Sequence, residues 1–278
     1  MTVATHLEPT PAAPPRPPVE QPSTGTKLRW AVQDTLLMTR RNLLRYVRLP
    51  ENLMGVTVQP IMFLVLFTYV LGGAIRVTTP DYVTYLLPGI IVQTMLFGAM
   101  ITGFGLAQDQ LSGLFERYRS LPMARSTVIT GRLLADVIAN IFVAALMIAV
   151  GVAMGFRFGG SVAESLAMPA VAILFALPIS GFFAAVGLTV RSMEAMNTTF
   201  IVIFPLTFIS SAFVPVESMP SWLQPIADAN PFTIAVNAAR ALALGEDATG
   251  DLVRTGVWVT LLTVIAVPLA VRAYNRPR

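Results

Sequence analysis

Long uncharged stretches alternate with short charged segments along most of this chain. Five stretches of at least 20 residues, and a shorter one near the C-terminus, contain no charged side chain. About 20 apolar residues are needed for a helix to cross the hydrocarbon core of a bilayer. The pattern therefore predicts six membrane-spanning helices, at approximately 56–75, 84–107, 133–156, 166–190, 196–214 and 254–273.

The composition supports a membrane protein and argues against a soluble one. Of the 278 residues, 55% are hydrophobic and only 12% are charged, and the mean hydropathy is +0.68. Soluble domains carry about twice that share of charged residues. The fold class predicted from these observations is an all-α integral membrane protein.

The distribution of Lys and Arg predicts the orientation of the chain. Fifteen of the 19 basic residues fall in the termini and connections on one side of the predicted spans, and four fall on the other side. Cytoplasmic loops are enriched in Lys and Arg, so both termini are expected in the cytoplasm. The net charge of +4 is then a consequence of topology, and no nucleic-acid partner is expected.

Residues needed for most catalytic sites are missing from the sequence. It has no cysteine, one histidine (His6) and one lysine (Lys27), and the segment Gly25-Thr26-Lys27-Leu28 does not match a phosphate-binding loop. We therefore expect no catalytic site, no metal site and no cofactor in this chain. A membrane-embedded enzyme such as an acyltransferase is disfavoured for the same reason.

The N-terminal part of the chain divides into a tail and a basic amphipathic segment. Seven prolines lie in the first 26 residues, so residues 1–27 are predicted to form a disordered cytoplasmic tail. In 28–48, apolar side chains share one helical face and four arginines cluster opposite, which predicts a helix in the headgroup plane. Its role is left open between an orientation anchor and a packing element of the bundle.

A second two-faced segment, 109–121, lies between the second and third predicted spans. Its apolar residues fall on one narrow face at helical spacing, and Pro122 stops the helix. Such a helix suits contact with both a membrane and a partner protein. The alternative is a solvated loop helix. The face consists of Leu111, Leu114, Phe115, Tyr118 and Leu121.

The region between the fifth and sixth spans contains helix breakers and a short apolar stretch. Trp222 lies among prolines in 214–225, and 230–244 is too short to cross a bilayer and ends at Gly245. Irregular backbone at membrane depth must be shielded by protein. These segments therefore predict a re-entrant helix pair on the outer face.

Few polar residues interrupt the predicted spans. Gln59, Gln93, Asn140 and Asn197 are each interpreted as interhelical hydrogen-bonding groups. Asp136 follows Arg132 by four residues, which predicts an ion pair at the membrane edge. Without a mid-membrane carboxylate or lysine, an ion-coupled carrier is disfavoured.

Several sequence blocks, in order, resemble the type 2 ATP-binding-cassette (ABC) permeases. Within that family the similarity is to the daunorubicin-resistance drug exporters, and it covers roughly 28–275. On this basis 28–278 is interpreted as a type 2 ABC transmembrane domain. The blocks are 59–63, 70–75, 86–90, 115–125, 131–136, 230–233, 239–242 and Gly245.

The resemblance implies an exporter subunit in the bacterial inner membrane, driven by a separate nucleotide-binding ATPase that binds ATP and Mg. It also implies a second permease subunit, identical or different, contact with membrane lipids, and a small amphipathic cargo such as a drug, an antibiotic or a lipid-like molecule. The helix at 109–121 would then be the cytoplasmic coupling helix that docks on the ATPase. The coupling residues implied are Leu111, Leu114, Phe115, Glu116, Arg117, Tyr118, Arg119, Leu121 and Pro122.

The same resemblance places the cargo route between the second and fifth spans, lined by Gln93, Phe97, Phe200, Phe204 and Phe208. It places an extracellular gate at Trp222, Pro231 and Arg240. Two alternatives stay open: a permease that exports a lipid or polysaccharide precursor, and, less favoured, an ion-coupled secondary drug carrier.

Overall fold

The computed structural model describes residues 24–48, 50–75, 77, 79–114 and 126–275. All regular structure in these ranges is helical. A π-helical turn (Phe67–Leu71) continues α2, and a 3-10 turn (Val216–Ser218) precedes α7. The α-helices are α1 (Thr24–Arg48), α2 (Pro50–Leu66), α3 (Tyr82–Leu111), α4 (Ser126–Ala153), α5 (Val162–Thr189), α6 (Met193–Phe208), α7 (Gln224–Ala229), α8 (Pro231–Leu244) and α9 (Thr249–Asn275).

Among the described residues, four helices, α3, α4, α5 and α9, are long and apolar enough to cross a membrane. They correspond to the second, third, fourth and sixth predicted spans. The helices at the first and fifth predicted spans, α2 with its π-turn and α6, are apolar but shorter. Within the described ranges the prediction of an all-helical chain is confirmed, and its apolar helices are consistent with a membrane protein. The count of six spans stays a prediction.

Several helices extend past the predicted spans because charged residues lie inside them. Helix α4 begins at Ser126 rather than near 133, and it includes both Arg132 and Asp136. Helix α3 continues to Leu111 and includes Asp109. The fifth span, in contrast, was predicted to be longer than the helix is. It was predicted to reach 214, but α6 ends at Phe208 and 209–214 form turns.

The centre of the bundle is the pair α3 and α5, which make the most extensive helix contact in the described chain. Two glycines allow their backbones to meet. A Cβ atom on Gly187 would collide with the carbonyl oxygen of Gly103, so neither helix could approach this closely with a larger residue there. Small residues at such contacts let membrane helices gain packing energy without a hydrophobic driving force between them. Helix α8 packs against α3, α5 and α9 and is almost entirely buried.

Helix α1 confirms the predicted basic amphipathic helix and packs against α4. Thr39 and Asn42 are buried at this contact, whereas Val32 and Leu36 are 52% and 56% exposed. Val32 and Leu36 of the predicted apolar face therefore point away from the described chain, as expected for a helix bordered by lipid. Tyr46 of the same face instead packs into the bundle, where its hydroxyl donates to Asp136. Helix α1 also packs against α4, so it has the packing role in the bundle that the sequence left open.

Local capping fixes the ends of the short helix α8. The Asn230 side chain accepts a hydrogen bond from the Phe232 amide at 2.9 Å, and Pro231 occupies the first turn, where its missing N–H costs nothing. Gly245 ends the helix in the left-handed region at φ 72°, as predicted for that position. Asn230, Pro231 and Gly245 belong to the sequence blocks that resemble the ABC permeases, and in the structure they begin and end α8.

Candidate functional site

Seven phenylalanine rings from α2, the π-turn, α3, α6 and the turn after α6 form a continuous series, which we call the aromatic row. Phe204 lies at its centre, 5.9 Å from Phe97, 5.3 Å from Phe200 and 5.0 Å from Phe208 between ring centroids. These distances lie in the range of attractive ring packing. In order, the row is Phe63, Phe67, Phe213, Phe208, Phe204, Phe97 and Phe200.

A small apolar cavity of about 120 Å³ adjoins the row between α2, α3 and α6. Phe97 and Phe200 line it, together with Gln59 and Pro60 of α2. The structure therefore brings together all four phenylalanines that the sequence assigned to a cargo route, and it adds α2 as a wall. Gln93 is buried, and its amide donates to the Thr207 hydroxyl at 3.2 Å, which confirms its predicted interhelical hydrogen bond.

Near the first turn of α3, Arg240 is buried against the non-helical segment that follows α6. Its guanidinium donates to the Ser211 carbonyl at 2.7 Å, the Tyr85 carbonyl at 3.1 Å and the Asn237 side chain at 3.0 Å. The guanidinium carbon also lies 3.7 Å from the centre of the Tyr85 ring. Burial lowers the pKa of this guanidinium, and the nearby tyrosines and glutamates oppose that effect.

Further side chains complete this group, which we call the Arg240 cluster. The Tyr82 hydroxyl donates to the Phe213 carbonyl at 2.8 Å, and the Asn230 amide donates to the carbonyls of Leu206 and Ile209 at 2.7 and 2.6 Å. The end of α6 leaves carbonyl oxygens without helical partners, and irregular backbone among apolar helices needs such donors. The Arg240 cluster therefore permits the helix to stop at Phe208.

The three residues assigned to an outer gate have different environments. Arg240 is buried in its cluster, and Pro231 begins α8. Trp222 is 70% exposed in the turn before α7. The structure thus assigns Arg240 and Pro231 to the packed helix α8 and Trp222 to the surface.

At the opposite end of α3, the predicted ion pair between Arg132 and Asp136 is confirmed at 3.6 Å. Both side chains are buried. Asp136 also accepts hydrogen bonds from the hydroxyls of Thr102 at 2.5 Å and Tyr46 at 3.3 Å. Burial, followed by the charge of Asp136, raises the pKa of the Tyr46 hydroxyl to about 12, so this hydroxyl is a donor at neutral pH.

A second acidic residue at this end joins α1 to the bundle. Asp109 is buried, and its carboxylate lies 3.3 Å from the Arg41 guanidinium and 2.9 Å from that of Arg45. Three guanidiniums and two carboxylates thus connect α1, α3 and α4. No role was predicted for Asp109 from the sequence, although a lone carboxylate at the end of an apolar stretch, in a chain with several arginines nearby, was a usable signal.

Only the beginning of the predicted coupling helix lies in the described residues. Leu111 is the last residue of α3, and Ser112 and Gly113 form a turn with Gly113 at φ 72°. The prediction of one helix over 109–121 is therefore wrong at its start, because glycine in this conformation ends the preceding helix. Leu114 is described beyond the turn, and the remaining coupling residues lie outside the described residues: Phe115, Glu116, Arg117, Tyr118, Arg119, Leu121 and Pro122.

The described residues offer no arrangement for chemistry on a bound molecule through a metal. Within the described ranges, no group of three or more His, Cys, Asp or Glu side chains could hold a metal ion. What the geometry provides is an apolar, aromatic surface between helices, with a buried polar cluster at each end of α3.

Comparison with known proteins gives a consistent result across the chain. The family described as the ABC-2 type transporter matches residues 33–244. A daunorubicin resistance ABC transporter permease of Streptomyces coeruleorubidus is 34% identical over 257 residues, covering 92% of this chain and 89% of the relative. A probable doxorubicin resistance ABC transporter permease of Mycobacterium tuberculosis is 30% identical over 261 residues, covering 93% of this chain and 94% of the relative.

A more distant relative agrees with these two. A probable multidrug ABC transporter permease of Escherichia coli is 26% identical over 189 residues, covering 66% of this chain and 49% of the relative. Proteins of this family are membrane components of ABC transporters and are not themselves the ATPases, which implies an ATPase partner. The apolar helices and these relatives together identify the chain as a multi-pass membrane protein. The chain belongs to the ABC-2 type transporter family.

Proposed function

We propose that this chain is the permease subunit of an ATP-driven exporter in the bacterial inner membrane. Its cargo is an amphipathic drug, antibiotic or lipid-like molecule that leaves the cytoplasm. The aromatic row is the observation that carries the proposal, since it offers flat apolar surface beside a cavity between α2, α3 and α6. The two relatives named for daunorubicin and doxorubicin resistance support this choice of cargo.

The aromatic row makes the cargo route testable by truncating one ring. An aromatic contact contributes about 0.5–1.5 kcal/mol beyond its buried area, so Phe204→Ala should weaken the apparent affinity for an aromatic cargo on the order of 2–10-fold. Phe182→Ala is the matched control, because Phe182 is a half-exposed ring on α5 outside the aromatic row. The measurement is cargo-stimulated ATP hydrolysis by the assembled transporter. An equal loss of apparent cargo affinity in both variants would show that the aromatic row does not line the cargo route.

The proposed topology has six spans and cytoplasmic termini. Helix α2 with its π-turn and helix α6 then complete the four longer spans, and α7 and α8 lie at the outer face. The split of basic residues supports this orientation. The tail predicted at 1–27 lies outside the described residues up to position 23, and its last four residues, 24–27, form the first turn of α1 instead.

Cysteine labelling tests this orientation directly, because the sequence has no cysteine of its own. Glu246→Cys places an exposed thiol in a loop predicted to lie outside the cell, and Ser112→Cys places one in a loop predicted to lie in the cytoplasm. An impermeant maleimide should label Glu246→Cys in intact cells and Ser112→Cys only after permeabilisation. The reverse pattern would invert the topology.

Energy is proposed to come from a separate ATPase subunit that binds ATP and Mg, with a second permease subunit, identical or different, completing the transporter. Residues 111–122 would contact the ATPase and pass its movement to α3, which continues directly from this segment. Asp109 joins that end of α3 to α1 through two ion pairs. A displacement at the coupling segment would therefore move α1 and α3 together.

The outer gate is proposed to be α8 and the turn after α6. The Arg240 cluster ties these elements to the first turns of α3 by several hydrogen bonds. Transport requires two arrangements of the bundle between which the ATPase selects. In this proposal Arg240 and Pro231 move with α8, while Trp222 lies at the membrane surface.

A further inference from the structure

A second cavity, of about 270 Å³, lies between α1, α3, α4 and α6 at the C-terminal end of α3. Its polar lining consists of Asn42, Arg45, Tyr46, Gln108 and Arg132. The other lining residues are apolar or glycine, and none of the nine carries a carboxylate. The cavity is therefore lined by two cations and neutral hydrogen-bonding groups, with apolar surface beside them.

The two carboxylates described near this cavity are engaged by other contacts. Asp109 lies against Arg41 and Arg45, and Asp136 is engaged by two hydroxyls and by Arg132. Neither carboxylate lines the cavity. An anion in the cavity would therefore meet Arg45 and Arg132 without an acidic side chain in the lining.

Arg132 is the residue that most needs a further partner. Its side chain is 7% exposed, and its Nε atom is buried without a hydrogen-bond partner in the described chain. The distance of 3.6 Å from Nε to Asp136 is too long for a hydrogen bond. The guanidinium lies over Gly105, where an added Cβ would sit 2.7 Å from Nη2, so the glycine makes room for it at the cavity wall.

The location suits the headgroup of a lipid. Helix α3 ends here, α4 and α6 begin here, and α1 runs along this end with several apolar side chains exposed, among them Leu37 and Leu44. Ile101, Phe104 and Met193 provide apolar lining where acyl chains would start. Basic pockets between membrane helices at the cytoplasmic side hold anionic lipid headgroups.

We propose that this cavity binds the phosphodiester headgroup of an anionic phospholipid. Arg45 and Arg132 hold the phosphate, and Gln108 donates a hydrogen bond to it. The bound lipid supplies a negative charge that none of the nine lining residues carries, and it fastens α1 to α3 and α4. The assignment to the inner leaflet rests on the proposed topology, whereas binding itself does not.

Lipid binding can be measured on the full chain purified in a non-ionic detergent. Short-chain phosphatidylglycerol, phosphatidylcholine and inorganic phosphate are titrated separately, and bound lipid is counted by native mass spectrometry. We expect phosphatidylglycerol to bind at least about fivefold more tightly than phosphatidylcholine, and inorganic phosphate not to compete at equal concentration. Competition by inorganic phosphate would show a site for a free anion and overturn the lipid assignment.

Two variants and one control locate the site. Arg45→Gln removes a cation that is partly exposed, and Gln108→Glu adds a negative charge at an exposed lining position, so neither should prevent folding. Each should weaken phosphatidylglycerol binding by about fivefold. Arg40→Gln is the control, because Arg40 is exposed on the same helix and does not line the cavity. Unchanged binding in both variants, or an equal loss in the control, would overturn the proposal.

Lipid binding can be tested independently of the proposed export function. Binding is measured without the ATPase, cargo or a membrane orientation. If cysteine labelling inverted the topology while lipid binding followed the variants as expected, the site would stand and only its leaflet would change.

Discussion

Arg240 is the residue whose removal should most clearly test the described packing around the end of α6. Arg240→Ala deletes three hydrogen bonds to Ser211, Tyr85 and Asn237 and the contact with the Tyr85 ring. Hydrogen bonds to charged groups contribute about 1.5–3 kcal/mol each, but the variant also removes the cost of burying a guanidinium. Each of these oxygens can keep another donor, so we expect a net loss of about 2–4 kcal/mol.

For a chain of this size, that loss corresponds to a lowering of the unfolding midpoint on the order of 4–16 °C. Thermal unfolding of the purified chain in detergent, followed by intrinsic fluorescence, measures it. Arg240→Lys should be intermediate, because one ammonium cannot reach all three acceptors.

Arg254→Ala is the matched control for this measurement. Arg254 is an arginine whose side chain is 72% exposed, and its ion pair with Asp251 is 3.8 Å long. An exposed pair contributes about 0–1 kcal/mol, so its midpoint should hardly change. If Arg240→Ala were no less stable than Arg254→Ala, the buried role given to Arg240 would be refuted.

Three further predictions concern Asp109, Gly187 and Phe115. Asp109→Asn should leave Arg41 and Arg45 without their buried carboxylate and loosen α1, at a cost of about 1–3 kcal/mol, which limited proteolysis of α1 will detect. Gly187→Leu should separate α3 from α5 and abolish the monodisperse protein peak in size-exclusion chromatography, and a normal peak would contradict the backbone contact with Gly103. Phe115→Ala should lower pull-down of the ATPase subunit at unchanged membrane level, by 2 kcal/mol or more if the ring is a buried anchor, and unchanged pull-down would rule out a coupling role for Phe115.

The sequence predicts the long helices well and their ends poorly, for a physical reason. Charge-free stretches locate the spans only if charged residues lie outside them. Arg132, Asp136 and Asp109 lie inside α4 and α3 because ion pairs and hydroxyl donors compensate their burial. The pair Arg132–Asp136 lies within α4, so its spacing predicted it, but the hydroxyls that also bind Asp136 and the arginines that bind Asp109 come from other helices. No local pattern in α3 or α4 reveals those partners.

The end of α6 shows the same dependence on distant residues. The apolar stretch continues to Val216, which favoured a longer helix, yet 209–214 form turns. Their carbonyl oxygens are satisfied by side chains of Tyr82, Tyr85 and Arg240, from helices far away in sequence. The identity of the donors, and hence the helix end, follows from the packing.

The candidate route was partly predictable. Phe200, Phe204 and Phe208 recur every four residues, which places them on one face of α6, and their contact with Phe97 of α3 follows from packing the predicted second and fifth spans together. Phe67 and Phe213 were missed, because one lies in a π-turn and the other in the turn after α6. Gln59 and Asn197, interpreted as interhelical groups, are exposed in the single chain.

In the proposed transporter, this chain moves cargo only when a separate ATPase drives it. The measurement is accumulation of a fluorescent anthracycline in inside-out proteoliposomes that contain the chain alone, the ATPase alone, or both, with and without ATP. We expect accumulation only with both subunits and ATP, and no ATP hydrolysis by the chain alone. Accumulation by the chain alone under an ion gradient, or ATP hydrolysis by the chain alone, would contradict it.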